Sequence, residues 1–211
     1  MSRSNPSIEE LNSSDEYELY AELEHHEIKT FVLDQLGKGG WLVKSYMFYQ
    51  IAMILTGLFL LTRSIVLCFK DVCQPLSYSL GTIVFCVSVL IVIHELIHGI
   101  VIKLTGAPKV NYGAYFKKFM FYAEADRYVL NQRQFTLIAL APLVVVKIIT
   151  LCGIILFFHQ AAVYAFVLVM CIHSLFCAGD IGLLSVFHSS SSEIFTYDVR
   201  SEQKSYYFRK K

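Results

Sequence analysis

Charge is what this chain has least of. Asp, Glu, Lys and Arg together make up 17% of its 211 residues, against about 25% in a soluble domain, and they stand outside a few long apolar runs. Hydrophobic residues make up 55% and the mean hydropathy is +0.53. That balance excludes a disordered chain and an ordinary soluble domain. Neither sign of charge dominates: the net charge is +1, so no nucleic-acid partner is expected. The first forty residues are acidic from Glu9 to Asp34 and lack an apolar core, so no cleavable signal peptide is expected. The six cysteines form no secreted-type framework. Cys86, Cys152, Cys171 and Cys177 fall within apolar runs, and only Cys68 and Cys73 lie near a surface loop. All six are expected as free thiols, with a Cys68–Cys73 bridge as the exception to test. No internal repeat is present, and the only biased stretch is the serine run 189–192, which reads as a polar linker.

Apolar runs are what the chain has in plenty. A spanning helix needs about 20 mostly apolar residues, and four runs qualify, roughly 46–67, 78–104, 135–158 and 161–187. The last two are separated only by His159 and Gln160, which predicts a tight antiparallel pair. The expected fold class is an all-α membrane bundle of about four transmembrane helices, with a small cytoplasmic β-hairpin and an acidic N-terminal helix. The division expected is an acidic cytoplasmic segment 1–44, a membrane-embedded domain 45–188 with the hairpin 109–130, and a cytoplasmic tail 189–211.

In the acidic segment Leu19, Leu23, Ile28, Phe31, Leu33 and Leu36 recur at roughly helical spacing. This predicts a peripheral helix over 8–36 that Ser13, Ser14 or Asp15 can cap and Gly37, Gly39 and Gly40 end. Between the second and third runs, residues 109–130 alternate Val110, Tyr112, Ala114 and Phe116, then Phe119, Phe121 and Ala123, around Lys117 and Lys118. That pattern predicts a β-hairpin with a basic turn, set off from the preceding helix by Gly106 and Pro108. Residues 193–197 read as a further short strand, and Arg209, Lys210 and Lys211 as a disordered basic end. Four spans leave both termini and the hairpin on one side. That side carries Lys103, Lys109, Lys117, Lys118, Arg127, Arg133 and a basic tail, whereas the other has only Lys70. The positive-inside rule makes the basic side cytoplasmic.

The second run contains His94-Glu95-Leu96-Ile97-His98. On a helix, i and i+4 share a face, so both imidazoles can hold one metal ion. Neutral imidazole suits Zn2+, and two histidines with a third protein ligand leave a position for water. Glu95 stands beside them, where a carboxylate can take a proton from the attacking water. Ionisable groups inside a span are expensive and point to function. The blander reading is a polar helix–helix contact.

Asp180, within Ala178-Gly179-Asp180-Ile181-Gly182, is the candidate third ligand. Counted back from the cytoplasmic ends of their runs, His98 and His94 lie about 9–15 Å deep and Asp180 about 10 Å deep. Gly179 and Gly182 would let another backbone approach. The rivals are His173, which the same count puts about 10 Å deeper, together with Glu124, Asp126, Asp198 and Cys177. His173 fits a supporting role better than ligation, or a plain hydrogen bond to a neighbouring helix. Lys147 could meet a carboxylate, stabilise an oxyanion or snorkel, and Arg63 is expected to snorkel. Pro142 is expected to bend or fray the third span and leave a carbonyl without its helical donor.

The His94–His98 motif in one span, the hairpin after it and Gly179-Asp180 in a later span resemble the membrane zincin-peptidase family. More distantly they resemble the site-2-protease class of intramembrane metalloproteases. The resemblance covers roughly residues 45–200. It implies a zinc peptidase with His94 and His98 as ligands, Glu95 as the catalytic carboxylate and Asp180 in the place of the later-span aspartate. That class carries an Asp-Gly pair, whereas Asp180 is followed by Ile181 and then Gly182. The expected function is a zinc-dependent membrane-embedded peptidase that cleaves a protein or peptide, membrane proteins included, in or near the lipid bilayer. The alternative is a non-enzymatic zinc-binding membrane scaffold or regulator. A metal transporter should show several ligand clusters, and a di-iron oxygenase needs more than the seven histidines present.

Overall fold

The computed structural model describes residues 5–115, 120–188 and 192–211. In chain order the elements are α1 (Ile8–Ser13), β1 (Tyr17–Glu24), α2 (Ile28–Lys38), α3 (Trp41–Cys68), α4 (Gln74–Phe85), α5 (Ile91–Leu104), β2 (Asn111–Tyr115), β3 (Met120–Glu124), β4 (Leu130–Asn131), α6 (Gln132–Leu156), α7 (Val163–Phe176), α8 (Ala178–His188), β5 (Ile194–Val199) and β6 (Lys204–Lys210). A π-helical stretch, Cys86–Leu90, carries α4 into α5 without a break. Trp41–Cys68, Gln74–Leu104 and Gln132–Leu156 are each long and apolar enough to cross a membrane. The count becomes four if the bent pair α7 and α8 is one span. The protein is therefore mostly helical, with small antiparallel sheets.

The acidic segment is not one helix. Ser7, rather than Ser13 or Ser14, caps α1 through a reciprocal pair with Glu10. Residues 17–24 then extend as β1, and only Ile28–Lys38 is the expected helix, ended by Gly39 in the left-handed conformation (φ 68°). The physical reason lies at the far end of the chain. β1 pairs antiparallel with β6, so the basic end expected to be disordered is a strand through Lys210. Its cations answer the acidic segment: Arg209 pairs with Glu18, and Lys204 with Glu22 and Glu24. A register shift between Leu19 and Ala21 breaks the two-residue alternation of β1, so Leu23 is buried whereas Leu19, four residues earlier, is exposed.

The chain forms two compact units. The first comprises Met1–Val43, Glu95–Ala139 and Gly179–Lys211; the second comprises Lys44–His94 and Leu140–Ala178. In the first, the strands run in the order β1-β6-β5-β4, and β2 and β3 form the expected hairpin as a separate pair. The Lys117–Lys118 turn and serines 189–191 lie outside the described residues. Leu23, Val186, Phe187, Ile194 and Tyr207 pack together, with Ile28, Phe31 and Phe135 against them. This core fastens α2 and α8 to the sheet.

At Gly182 of α8, α2 comes close. A Cβ on Gly182 would stand 2.6 Å from Val32 Cγ1 and 3.2 Å from its Cβ, whereas one on Gly179 would meet nothing within 4 Å. The small-residue gap thus receives the N-terminal helix and not the second run. Valine is stiff about χ1 and cannot turn away. Alanine gains about 1 kcal/mol over glycine in a helix, so Gly179→Ala should match or slightly exceed wild-type stability. Gly182→Ala should fall below Gly179→Ala by about 1–3 kcal/mol through overpacking. Thermal unfolding of the detergent-purified chain checks this, and equal midpoints would refute the contact.

In the second unit, Phe157 stacks on Phe166 at 5.4 Å, consistent with the tight turn from α6 into α7. Lys147 meets Tyr49, its ammonium 3.9 Å from the ring centroid, so its partner is an aromatic and not a carboxylate. Arg63 lies 5.9 Å from the centroid of Tyr164. Cys68 and Cys73 are disulfide-bonded across the loop between α3 and α4, which makes the expected exception the observed state. Cys86, Cys152, Cys171 and Cys177 form no disulfide. Pro142 sits inside α6, which continues unbroken from Gln132 to Leu156. The fourth run is not one helix: α7 ends at Phe176, and Cys177 returns its N–H to the His173 and Leu175 carbonyls before α8 begins.

Candidate metal centre

The motif helix α5 reads IVIHELIHGIVIKL and is regular throughout, so His94 and His98 stand one turn apart on the same face. It starts directly after the π-helical stretch Cys86–Leu90. Such one-turn widenings concentrate at functional sites, and the apolar periodicity of the second run gave no sign of this one. The boundary between the two units falls inside α5, between His94 and Glu95.

In the first unit, His98 is buried and its Nε2 lies 3.2 Å from Asp180 Oδ1. Two ligands held about 2.0–2.2 Å from one tetrahedral ion stand about 3.3–3.6 Å apart, so this pair fits a shared zinc ion. Asp180 owes its place to the first turn of α8. The other ring nitrogen, Nδ1 of His98, donates to the Ile138 carbonyl at 2.9 Å. The donor must be Nδ1, because a carbonyl oxygen only accepts.

In the second unit, His94 Nδ1 lies 3.1 Å from His173 Nε2, and both rings are buried. His173 Nδ1 lies 3.7 Å from the Cys177 sulfur. Donor atoms of His94, His173 and Cys177 all lie within 4.8 Å of one another, the spacing of a potential metal set. The ring of His173, however, meets its neighbours through opposite nitrogens, which one ion cannot use together. A hydrogen-bonded chain fits this arrangement better than a chelate. His173 is thus not the remote, deeper group that counting along an unbroken span implied; it bears on His94 directly.

The other rival carboxylates are engaged elsewhere. Glu124 is buried and its Oε1 lies 3.4 Å from Arg200 Nε, while Asp126 Oδ1 accepts the Arg200 backbone N–H at 2.9 Å. Asp198 Oδ1 accepts from Ser205 Oγ at 2.6 Å. Burial pushes the Glu124 carboxyl up to about 7; Asp198 adds to the rise and Arg200 opposes it. Burial likewise raises Asp198 and lowers His25, and each of these two opposes the shift of the other. His25 is buried against the Tyr122 ring at 5.7 Å. These groups hold the hairpin, the tail and the 25–27 turn together.

One aromatic of the hairpin reaches the motif helix. The phenol of Tyr112 lies on the backbone of Gly99, where any side chain on Gly99 would collide with it. Gly99 is one turn beyond Glu95 and so shares its face. The alternation of 109–130 located the hairpin, but nothing in it could assign Tyr112 to this spot.

Among comparisons with known proteins, residues 87–195, just over half of the chain, match the model of the family described as "Putative zincin peptidase". No curated protein and no solved structure matches the chain.

Proposed function

The chain belongs to the zincin-peptidase family, and from that premise we propose that it is a zinc-dependent peptidase embedded in a membrane, with His94, His98 and Asp180 as the metal ligands and Glu95 as the catalytic carboxylate. The observation that carries this reading is the 3.2 Å approach of Asp180 Oδ1 to His98 Nε2. His94 joins them because the regular helix sets it one turn before His98. Bound zinc would polarise the scissile carbonyl and make a water nucleophilic near neutral pH. Glu95 takes the proton of that water and returns it to the leaving nitrogen. Among the described residues β2 and β3 pair only with each other, so each has an edge that an extended peptide can join by backbone hydrogen bonds.

Zinc analysis of the detergent-purified full chain tests the reading. About one ion per chain is expected in the wild type, from a site that closes with three protein ligands, and little in His94→Ala or His98→Ala. A wild type without zinc, or variants that keep it, would overturn the proposal.

The orientation proposed is both termini and the hairpin in the cytoplasm. One sheet supports it. The N-terminal β1, the inter-span β4 and the tail strands β5 and β6 are hydrogen-bonded together, which supports placing all three regions on one side of the membrane. The chain must then cross an even number of times between them, and the bent pair α7 and α8 serves as the returning span. The Cys68–Cys73 disulfide falls in the loop on the opposite side, where an oxidising compartment would keep it. A cysteine at Lys109, which is exposed, should react with an impermeant thiol reagent only after the cells are permeabilised. Labelling in intact cells would reverse the orientation.

A further inference from the structure

In an α-helix the N–H of residue i pairs with the carbonyl of i−4, so the helical donor for the Ile138 carbonyl is residue 142. That residue is Pro142, which has no N–H to give. Pro142 is fully buried and α6 continues through it, so neither a helix end nor solvent accounts for its presence. In an apolar surrounding a carbonyl deprived of its helical donor needs a replacement, and neighbouring helices supply one. Here the replacement is His98 Nδ1, at 2.9 Å. A neutral imidazole that carries its hydrogen on Nδ1 has its lone pair on Nε2, and Nε2 is the atom beside Asp180.

We propose that Pro142 is a positioning residue: by withholding an N–H from Ile138, it presents that carbonyl to His98 and holds the ring in the tautomer that ligates through Nε2. The inference rests on reading His98 as a zinc ligand. The opposite tautomer, with hydrogen on Nε2, would lose the metal-binding lone pair and leave the Ile138 carbonyl short of a donor. Outer hydrogen-bond partners of ligating histidines fix the tautomer and ring orientation, and losing one lowers metal affinity by about 10–100-fold. Pro142 differs from such a partner in acting through a bond it does not make.

Two substitutions restore the N–H at residue 142. Pro142→Ala also empties some volume, and Pro142→Val keeps three side-chain carbons and so leaves no cavity. Zinc affinity is measured by chelator competition on the full chain in detergent, with thermal unfolding of the metal-free protein to confirm that each variant folds. Both variants are expected to bind zinc about 10–100-fold more weakly while unfolding no earlier than wild type. Affinity within threefold of wild type in both would overturn the proposal. Weakening in Pro142→Ala alone would also overturn it, because the cause would then be the cavity. A measurement on the wild type covers the case in which the variants do not fold: with 15N-labelled histidine, the nitrogen resonances should show Nδ1 of His98 protonated with and without zinc. A bare Nδ1 would sink the proposal. If the wild type binds no zinc but Nδ1 is protonated, the peptidase reading fails and the Pro142–Ile138–His98 arrangement stands as a structural one.

Discussion

Glu95→Gln should keep the zinc content of the wild type and lose peptide cleavage by about 10²–10⁴-fold, the usual contribution of a positioned general base. Glutamine preserves the size and hydrogen bonding of the side chain but cannot take the proton of water at neutral pH. Glu95 follows His94 by one residue on a regular helix, so it points about 100° from His94 and about 60° from His98 around the helix axis. In the proposed site it would stand beside the ion without being a ligand. The measurement pairs metal analysis with turnover of a fluorogenic peptide library in micelles. Wild-type turnover in the variant would leave a scaffold or regulator as the function of the site. Loss of zinc would instead make Glu95 a ligand.

Asp180→Ala should lower zinc affinity by more than about 100-fold, beyond the effect of removing an outer partner, because a site of three protein ligands becomes one of two. Asp180→Asn should retain part of the affinity, since an amide oxygen can still coordinate but brings no charge. Glu124→Ala and Asp126→Ala should bind zinc as the wild type does. Their carboxylates are engaged with Arg200, and losing them loosens the tail and not the metal site. The four affinities form one chelator-competition series. Zinc kept in Asp180→Ala but lost in Cys177→Ala would move the ion to the His94, His173 and Cys177 group.

The elements legible in the residues are those whose signal is local. The first and third apolar runs, the glycine that stops α2 and the alternation of the hairpin are each read from neighbouring residues, and each is found close to its expected place. The two-histidine face follows from the helical period alone. Even the Ile138 carbonyl could have been located by counting four residues back from Pro142, although the identity of the group that takes it could not.

By itself, then, the sequence determined a chain rich in helices long and apolar enough to span a membrane, with a paired-histidine motif on one of them and a hairpin close behind it. Only the tertiary structure decided that residues 17–24 are a strand, because their partner is 204–210, and no local period encodes pairing across nearly the whole chain. It also decided that the acidic segment and the basic tail answer each other's charge, that Val32 fills the gap at Gly182, and that the fourth run breaks at Cys177. The nitrogens of His94 and His98 that face protein partners were decided at the same level. Sequence spacing places a histidine on a face, but the tautomer depends on which acceptor meets the ring, and that acceptor comes from another part of the chain.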